Sequence, residues 1–171
     1  RGFPAGHPFH NVRAMPSDVA LPPIYLLGSS DYSAQLAGQI GAAFAFAHHF
    51  ATFDAAAAMR LYCDNFRPSP AHAEPYAILG THVVCADSDA EAEYLPLASP
   101  DDAAAYEYTG VDRARIAQNR ARMSVGSPAT VKARLAPLLA ATQANELMVT
   151  TMIYDHAARK RSYELLKQAF G

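Results

Sequence analysis

Apolar residues fall into four short runs, and a helical pattern follows each of them. The first run, Ile24-Tyr25-Leu26-Leu27, ends in Gly28-Ser29-Ser30 and predicts a strand over about 24–28. A helix over about 30–40 follows, with Ser30 as N-cap and Gly41 just past its end. Ala43-Phe44-Ala45-Phe46-Ala47 has no polar face, as in a parallel strand buried on both sides. It runs into His48-His49, and Asp54 then caps a helix reaching about Asn65, with Met59, Tyr62 and Phe66 near one face. The longest strand signal is Ala77 to Ala86, followed by Asp87-Ser88-Asp89 and an Ala/Glu-rich helix. Residues 96–111 read as a loop or insertion, and 112–122 as a polar helix. Ser127-Pro128 opens a helix with its stripe on Val131, Leu135 and Leu138, which Pro137 distorts or shortens. A last strand over 146–153 leads to a helix opened by Asp155, with Tyr163, Leu166 and Phe170 facing inward.

Strand and helix thus alternate four times, which argues for parallel strands joined by right-handed crossovers. The expected fold is α/β: about half of a TIM-type β/α barrel, with four parallel strands and flanking helices. A full barrel needs roughly 250 residues. The 171 residues form a single domain, and the proline-rich residues 1–23 form an irregular lead-in.

Composition narrows the function. Half the residues are hydrophobic (51%), so the chain buries a real core. A net charge of −2 leaves no basic field for nucleic acid or anionic lipid. No apolar stretch is long enough to span a bilayer, and the first residues lack a signal-peptide pattern. Cys63 and Cys85 show no metal-ligand spacing and read as free thiols in a reducing, cytoplasmic setting.

The turn Gly28-Ser29-Ser30, with Ser33, is the best binding candidate. The first N–H groups of a helix are unpaired and attract anions, glycine lets the backbone come close, and hydroxyls can donate to oxygens. Plain helix capping by serine is the competing reading. The turn carries no lysine or arginine. His48 and His49 end the second strand on the rim where such folds place their chemistry, and are the candidate catalytic residues. Neighbours on a strand face opposite ways, so one of them points inward and the other meets helices. No third ligand at suitable spacing supports a metal. His82, Thr150 and Thr151 read as satisfied core polar groups. Asp155-His156 reads as a helix start, and Arg159-Lys160-Arg161 as a solvated face. Tyr94, Tyr106 and Tyr108 flank the insertion, where they suit covering a ligand or a partner.

The blocks Pro23–Ala37, Phe44–Phe50, Val125–Pro128 and Glu146–Leu166, with Val12-Arg13-Ala14-Met15-Pro16, resemble the C-terminal half of the luciferase-like flavin-dependent monooxygenases. The resemblance implies an eight-stranded β/α barrel that binds FMN, often in reduced form delivered by a separate flavin reductase. It implies oxidation of a small-molecule substrate with O₂. It places the flavin phosphate at Gly28, Ser29, Ser30 and Ser33. The first four strands of that barrel have no counterpart in this sequence. The alternative expectation is therefore a non-catalytic fragment that forms a homo-oligomer or pairs with a complementing barrel half, keeping at most the phosphate loop.

Overall fold

The computed structural model describes residues 2–13, 15, 16, 19, 22–95 and 97–171. Parts of the lead-in, including Ala14 of the Val12–Pro16 block, lie outside the described residues. The order is β1 (Tyr25–Gly28), α1 (Asp31–Ile40), β2 (Ala43–Ala47), α2 (Ala55–Asp64), β3 (Ala77–Cys85), α3 (Asp89–Tyr94), α4 (Pro100–Ala105), α5 (Gly110–Arg120), β4 (Met123–Gly126), α6 (Pro128–Thr142), β5 (Glu146–Thr150) and α7 (His156–Phe170).

All strand pairs are parallel. β1 pairs with β2, β2 with the first half of β3, and β5 with the other edge of β3. These are the four expected strands. A fifth, β4, joins them over Met123–Gly126, outside the four expected strands. His82 lies between Met123 of β4 and Thr150 of β5, so β4 takes over the edge of β3 that β2 leaves at Gly80. The expected loop over 96–111 holds α4, because Ser99 caps it, Pro100 fills its first turn, and Asp101 and Asp102 favour its dipole.

The helices start where the side chains supply caps. Ser30, Asp54, Ser127 and Asp155 each accept a backbone N–H of the first turn. Gly41 ends α1 at φ +65°, and a Cβ there would lie 2.3 Å from the Arg67 carbonyl. α6 runs through Pro137 to Thr142 without interruption.

One face of the sheet carries the core. Leu26, Phe44, Phe46 and Leu79 pack against Ala34 and Ala37 of α1 and Ala58, Met59 and Tyr62 of α2. Truncating either buried phenylalanine to alanine costs about 3–5 kcal/mol, a large share of the stability of a small domain. The Tyr62 hydroxyl is satisfied in this core: it donates to the Ala42 carbonyl (2.9 Å) and accepts the Tyr76 N–H (3.0 Å). Further along β3, Val83 and Cys85 meet Val131 and Leu135 of α6 and Leu165 and Leu166 of α7.

α7 corrects the expected inward face. Tyr163 and Phe170 are exposed, whereas Ser162, Leu165 and Leu166 are buried. The Ser162 hydroxyl accepts the Cys85 N–H at 3.0 Å, which draws that side of the helix onto β3.

Alternation sends Leu27, Gly80, His82, Met148 and Thr150 to the opposite face. That face is open around Leu27 (68% exposed) and Met148 (56%), and closed only near the end of β3. There Val84 and Ala86 pack against Ala92, Val125 and Ile153.

Candidate active site

The Gly28–Ser33 turn lies at the carboxyl end of β1, the end where open and closed β/α sheets hold ligands. Its conformation is locked by a reciprocal capping box. The Ser33 N–H donates to Ser30 Oγ (3.3 Å), and the Ser30 N–H donates to Ser33 Oγ (3.2 Å). The Ser33 hydroxyl proton goes to the Ser30 carbonyl at 2.8 Å. The Ser30 hydroxyl in turn donates to Ser33 Oγ at 3.3 Å, so Ser33 shapes the turn, while the Ser29 hydroxyl and the Asp31 N–H have no partner among the described residues. Gly28 is required by space. A Cβ there would lie 2.1 Å from Ser33 Oγ. Asp31 brings a carboxylate to the same rim, where its Oδ1 accepts the Tyr32 N–H at 2.8 Å.

The two adjacent histidines do not end the second strand as expected: β2 stops at Ala47, and both lie in the turn that follows, where they part company. His49 folds back over β3: its backbone N–H and its ring Nδ1 each lie 3.3 Å from the Gly80 carbonyl oxygen. A carbonyl only accepts, so Nδ1 carries a proton in this contact and Nε2 is the ring nitrogen left over. The Phe50 ring stands edge-on to the imidazole at 4.6 Å between centroids. His48 turns the other way, toward Arg122 and α6. Burial, followed by the positive charge of Arg122, holds its pKa below the usual imidazole value.

His82 is not the satisfied core residue that the sequence suggests. Its Nε2 is buried and has no hydrogen-bond partner among the described residues. Burial and then the neighbouring His49 lower its pKa, so the ring is neutral at pH 7. Thr81 and Thr151 likewise have buried, unpartnered hydroxyls, while the Thr150 hydroxyl donates to the Thr81 carbonyl at 3.4 Å. Register sets the levels: Gly28 is level with Phe46, Ala47 with Gly80, and His82 with Thr150. The serine turn and His49 thus follow the ends of β1 and β2, and Thr150 ends β5, whereas His82 lies within β3, three residues before its end. The signal that singles out His82 is its place two residues after Gly80, on the open face of the longest strand.

The other candidates behave as structure. Asp155 caps α7 through the Ala158 N–H (2.7 Å). Arg161 pairs with Asp87 and Glu164, and Arg159 leans on His156. Tyr94 is exposed, whereas Tyr106 and Tyr108 meet edge to face at 4.9 Å and wall a hollow of about 360 Å³ against α5. Cys63 and Cys85 are free thiols, exposed and buried respectively. Among the described residues no three metal-ligating side chains come together, and no helix is long and apolar enough to cross a membrane.

No family model matches the chain. Individual relatives do. It is 36% identical over 180 residues to a luciferase-like monooxygenase of Escherichia coli (strain K12), covering 95% of this chain and 54% of that protein. It is 34% identical to the uncharacterized protein YvbT of Bacillus subtilis (strain 168), again covering 95% of this chain and 54% of the relative. Among solved structures, apo-MsnO8 superposes with a TM-score of 0.75 at 32% identity, over 96% of this chain and 55% of its own. The oxygenating constituent of 3,6-diketocamphane monooxygenase from Pseudomonas putida, solved with FMN, shares the fold at a TM-score of 0.58 and 23% identity, over 86% of this chain and 48% of its own. The chain spans about half the length of the curated relatives it matches. Sequence and fold together make it a homologue of the luciferase-like monooxygenases.

Proposed function

We propose that the chain is the flavin-holding, C-terminal half of a flavin-dependent monooxygenase that uses reduced FMN and O₂ on a small organic substrate. One observation carries this reading: a glycine-serine turn opening a helix stands at the carboxyl end of β1, with His49 just past the end of the neighbouring β2. The name of the E. coli relative and the FMN-bound P. putida neighbour support it. An exposed thiol, Cys63, suits a reducing, cytoplasmic setting.

The turn fits a phosphate. The Ser29 hydroxyl and the Asp31 N–H would meet its oxygens, the Ser30 hydroxyl would turn from Ser33 Oγ to join them, and the α1 dipole favours negative charge there. Asp31 opposes it with a like charge at the rim. Bound here, reduced FMN would supply the activation of O₂. The chain's own residues do the rest. Ser33 fixes the turn, and Gly28 keeps the approach clear. His49 exchanges a proton with the bound group through Nε2. Leu27 and Met148 line the open face with apolar surface, which excludes water once that face is covered. A flavin reductase would deliver the reduced cofactor, and a complementing barrel half or a second copy would close the site.

An FMN titration followed by flavin fluorescence tests this. Saturable quenching is expected. Ser30→Ala, which removes a hydrogen bond to a charged group, weakens binding roughly tenfold. Asp31→Asn, which removes the like charge, tightens it roughly threefold at low salt. Absence of quenching by the wild-type chain, or unchanged affinity in Ser30→Ala, overturns the assignment of the turn.

A further inference from the structure

His48 is left over from the site above, and what it faces is a second feature of the molecule. The end of β2, the start of β4 and the flank of α6 enclose a hollow of about 400 Å³. Arg120, Arg122 and Arg134 line it together with His48 and Ser124. No acidic side chain lines it. Among the described residues, Arg120 pairs with Glu93, but no carboxylate lies within 4 Å of Arg122 or Arg134. Beyond Glu93, opposing charges act from outside the lining: Asp89 feels Arg134, and His48 feels Asp54. Three arginines line one hollow, only one of them paired with a carboxylate, and the chain as a whole is acidic (net −2), so the cluster is not a general basic surface.

We propose that this hollow binds a small phosphomonoester, with Arg122 and Arg134 gripping the phosphate oxygens and Arg120, His48 and the Ser124 hydroxyl completing the cradle. A phosphoryl group offers two negative charges and several oxygens, which matches forked guanidinium donors arriving from different elements. The volume falls in the range of small-ligand sites, leaving room for the organic part beside the phosphate. The site stands apart from the β1 turn: it lies on the α6 side of β2, where His48 points, and does not depend on flavin binding. His48 serves as its reporter. Arg122 and burial disfavour the imidazolium, Asp54 favours it, and His49 disfavours it. An anion seated among the arginines turns the local field around.

The test is a calorimetric titration of the full chain with ribose 5-phosphate and, separately, with inorganic phosphate, both at fixed ionic strength. Saturable binding of ribose 5-phosphate is expected, with a Kd below about 1 mM. The His48 imidazole, followed by NMR, should titrate at higher pH in the saturated protein. Arg122→Gln and Arg134→Gln should each weaken binding roughly tenfold, while Lys160→Gln, on α7, should leave it unchanged. Arg134 is exposed on α6, so its variant keeps the test readable should Arg122→Gln fail to fold. Binding of inorganic phosphate alone would assign the hollow to the free ion and overturn the phosphomonoester. The proposal also fails if neither probe saturates by about 20 mM, or if Arg134→Gln binds like the wild type.

Discussion

A buried neutral imidazole makes stability depend on pH, and His82 is such a group. Burial and His49 lower its folded pKa, whereas in the unfolded chain it titrates near about 6.5. Below that value the unfolded chain takes up a proton that the folded one refuses. The contribution is therefore complete above about pH 6.5 and is lost as pH falls from there toward the folded pKa. His48, lowered by burial and Arg122, acts with the same sign. Most carboxylates titrate below this window. Thermal melts from pH 7.5 to 5.5 should show a falling midpoint in the wild type and a shallower fall in His82→Gln. A wild-type profile flat across that range would show that neither ring is held neutral by the fold. The same residue marks a limit of reading from sequence. His48 and His49 are separated by the turn after β2, and a lone histidine inside a strand looks the same whether its ring is satisfied or orphaned. Only the neighbours that β3 acquires from β4 and β5 at His82 decide that.

The helix starts were the most legible elements, because a cap is local chemistry: Ser30, Asp54, Ser127 and Asp155 each sit one residue before a helical pattern and bond within three residues. β4 was hidden for the opposite reason. Met123–Gly126 is four residues long, and its partner is the stretch of β3 that β2 leaves unpaired, a vacancy set by tertiary structure. Ser162 was hidden because a small polar residue in a charged helix reads as surface until a backbone N–H, here that of Cys85, needs its oxygen. The junction of β4 and α6 carries a testable consequence. Asp89 of α3 accepts the Ser127 N–H (2.6 Å) and the Thr130 hydroxyl (3.0 Å), and these bonds hold its carboxyl below the usual range. Gly126, at φ +152°, threads between them. A Cβ there would lie 2.6 Å from Thr130 Cγ2 and 2.8 Å from Asp89 Oδ1. Gly126→Ala combines a strained backbone with a clash, so it should cost about 2 kcal/mol or more. Urea unfolding should report it as a lower midpoint at constant slope. A midpoint equal to that of the wild type would mean that α3 is not tied to α6 through this carboxylate.

The sheet as a whole is unfinished on one face and at two edges. Parallel strands are ordinarily covered on both sides, and here the helices cover one. On the other, Leu27, Met148 and, just beyond β5, Met152 are more than half exposed, while their neighbours Leu26, Phe44 and Leu79 are packed. Among the described residues β1 pairs only with β2 and β5 only with β3, so each offers an unpaired row of N–H and C=O groups. Relatives of about twice the length share this fold over about half of theirs. Apolar surface and open edges on the same face call for a second sheet, whether a complementing half or another copy. The chain on its own should therefore self-associate through this face, and light scattering behind size exclusion should give a mass above the 18.4 kDa of the monomer. Leu27→Lys and Met148→Lys place charges on the open face and leave the helix-side core untouched. They should shift the population toward monomer while the helical circular dichroism stays. A wild-type chain that remains monomeric at tens of micromolar, with no change in either variant, would mean that the exposed face is tolerated in water and that its apolar residues await only a small ligand.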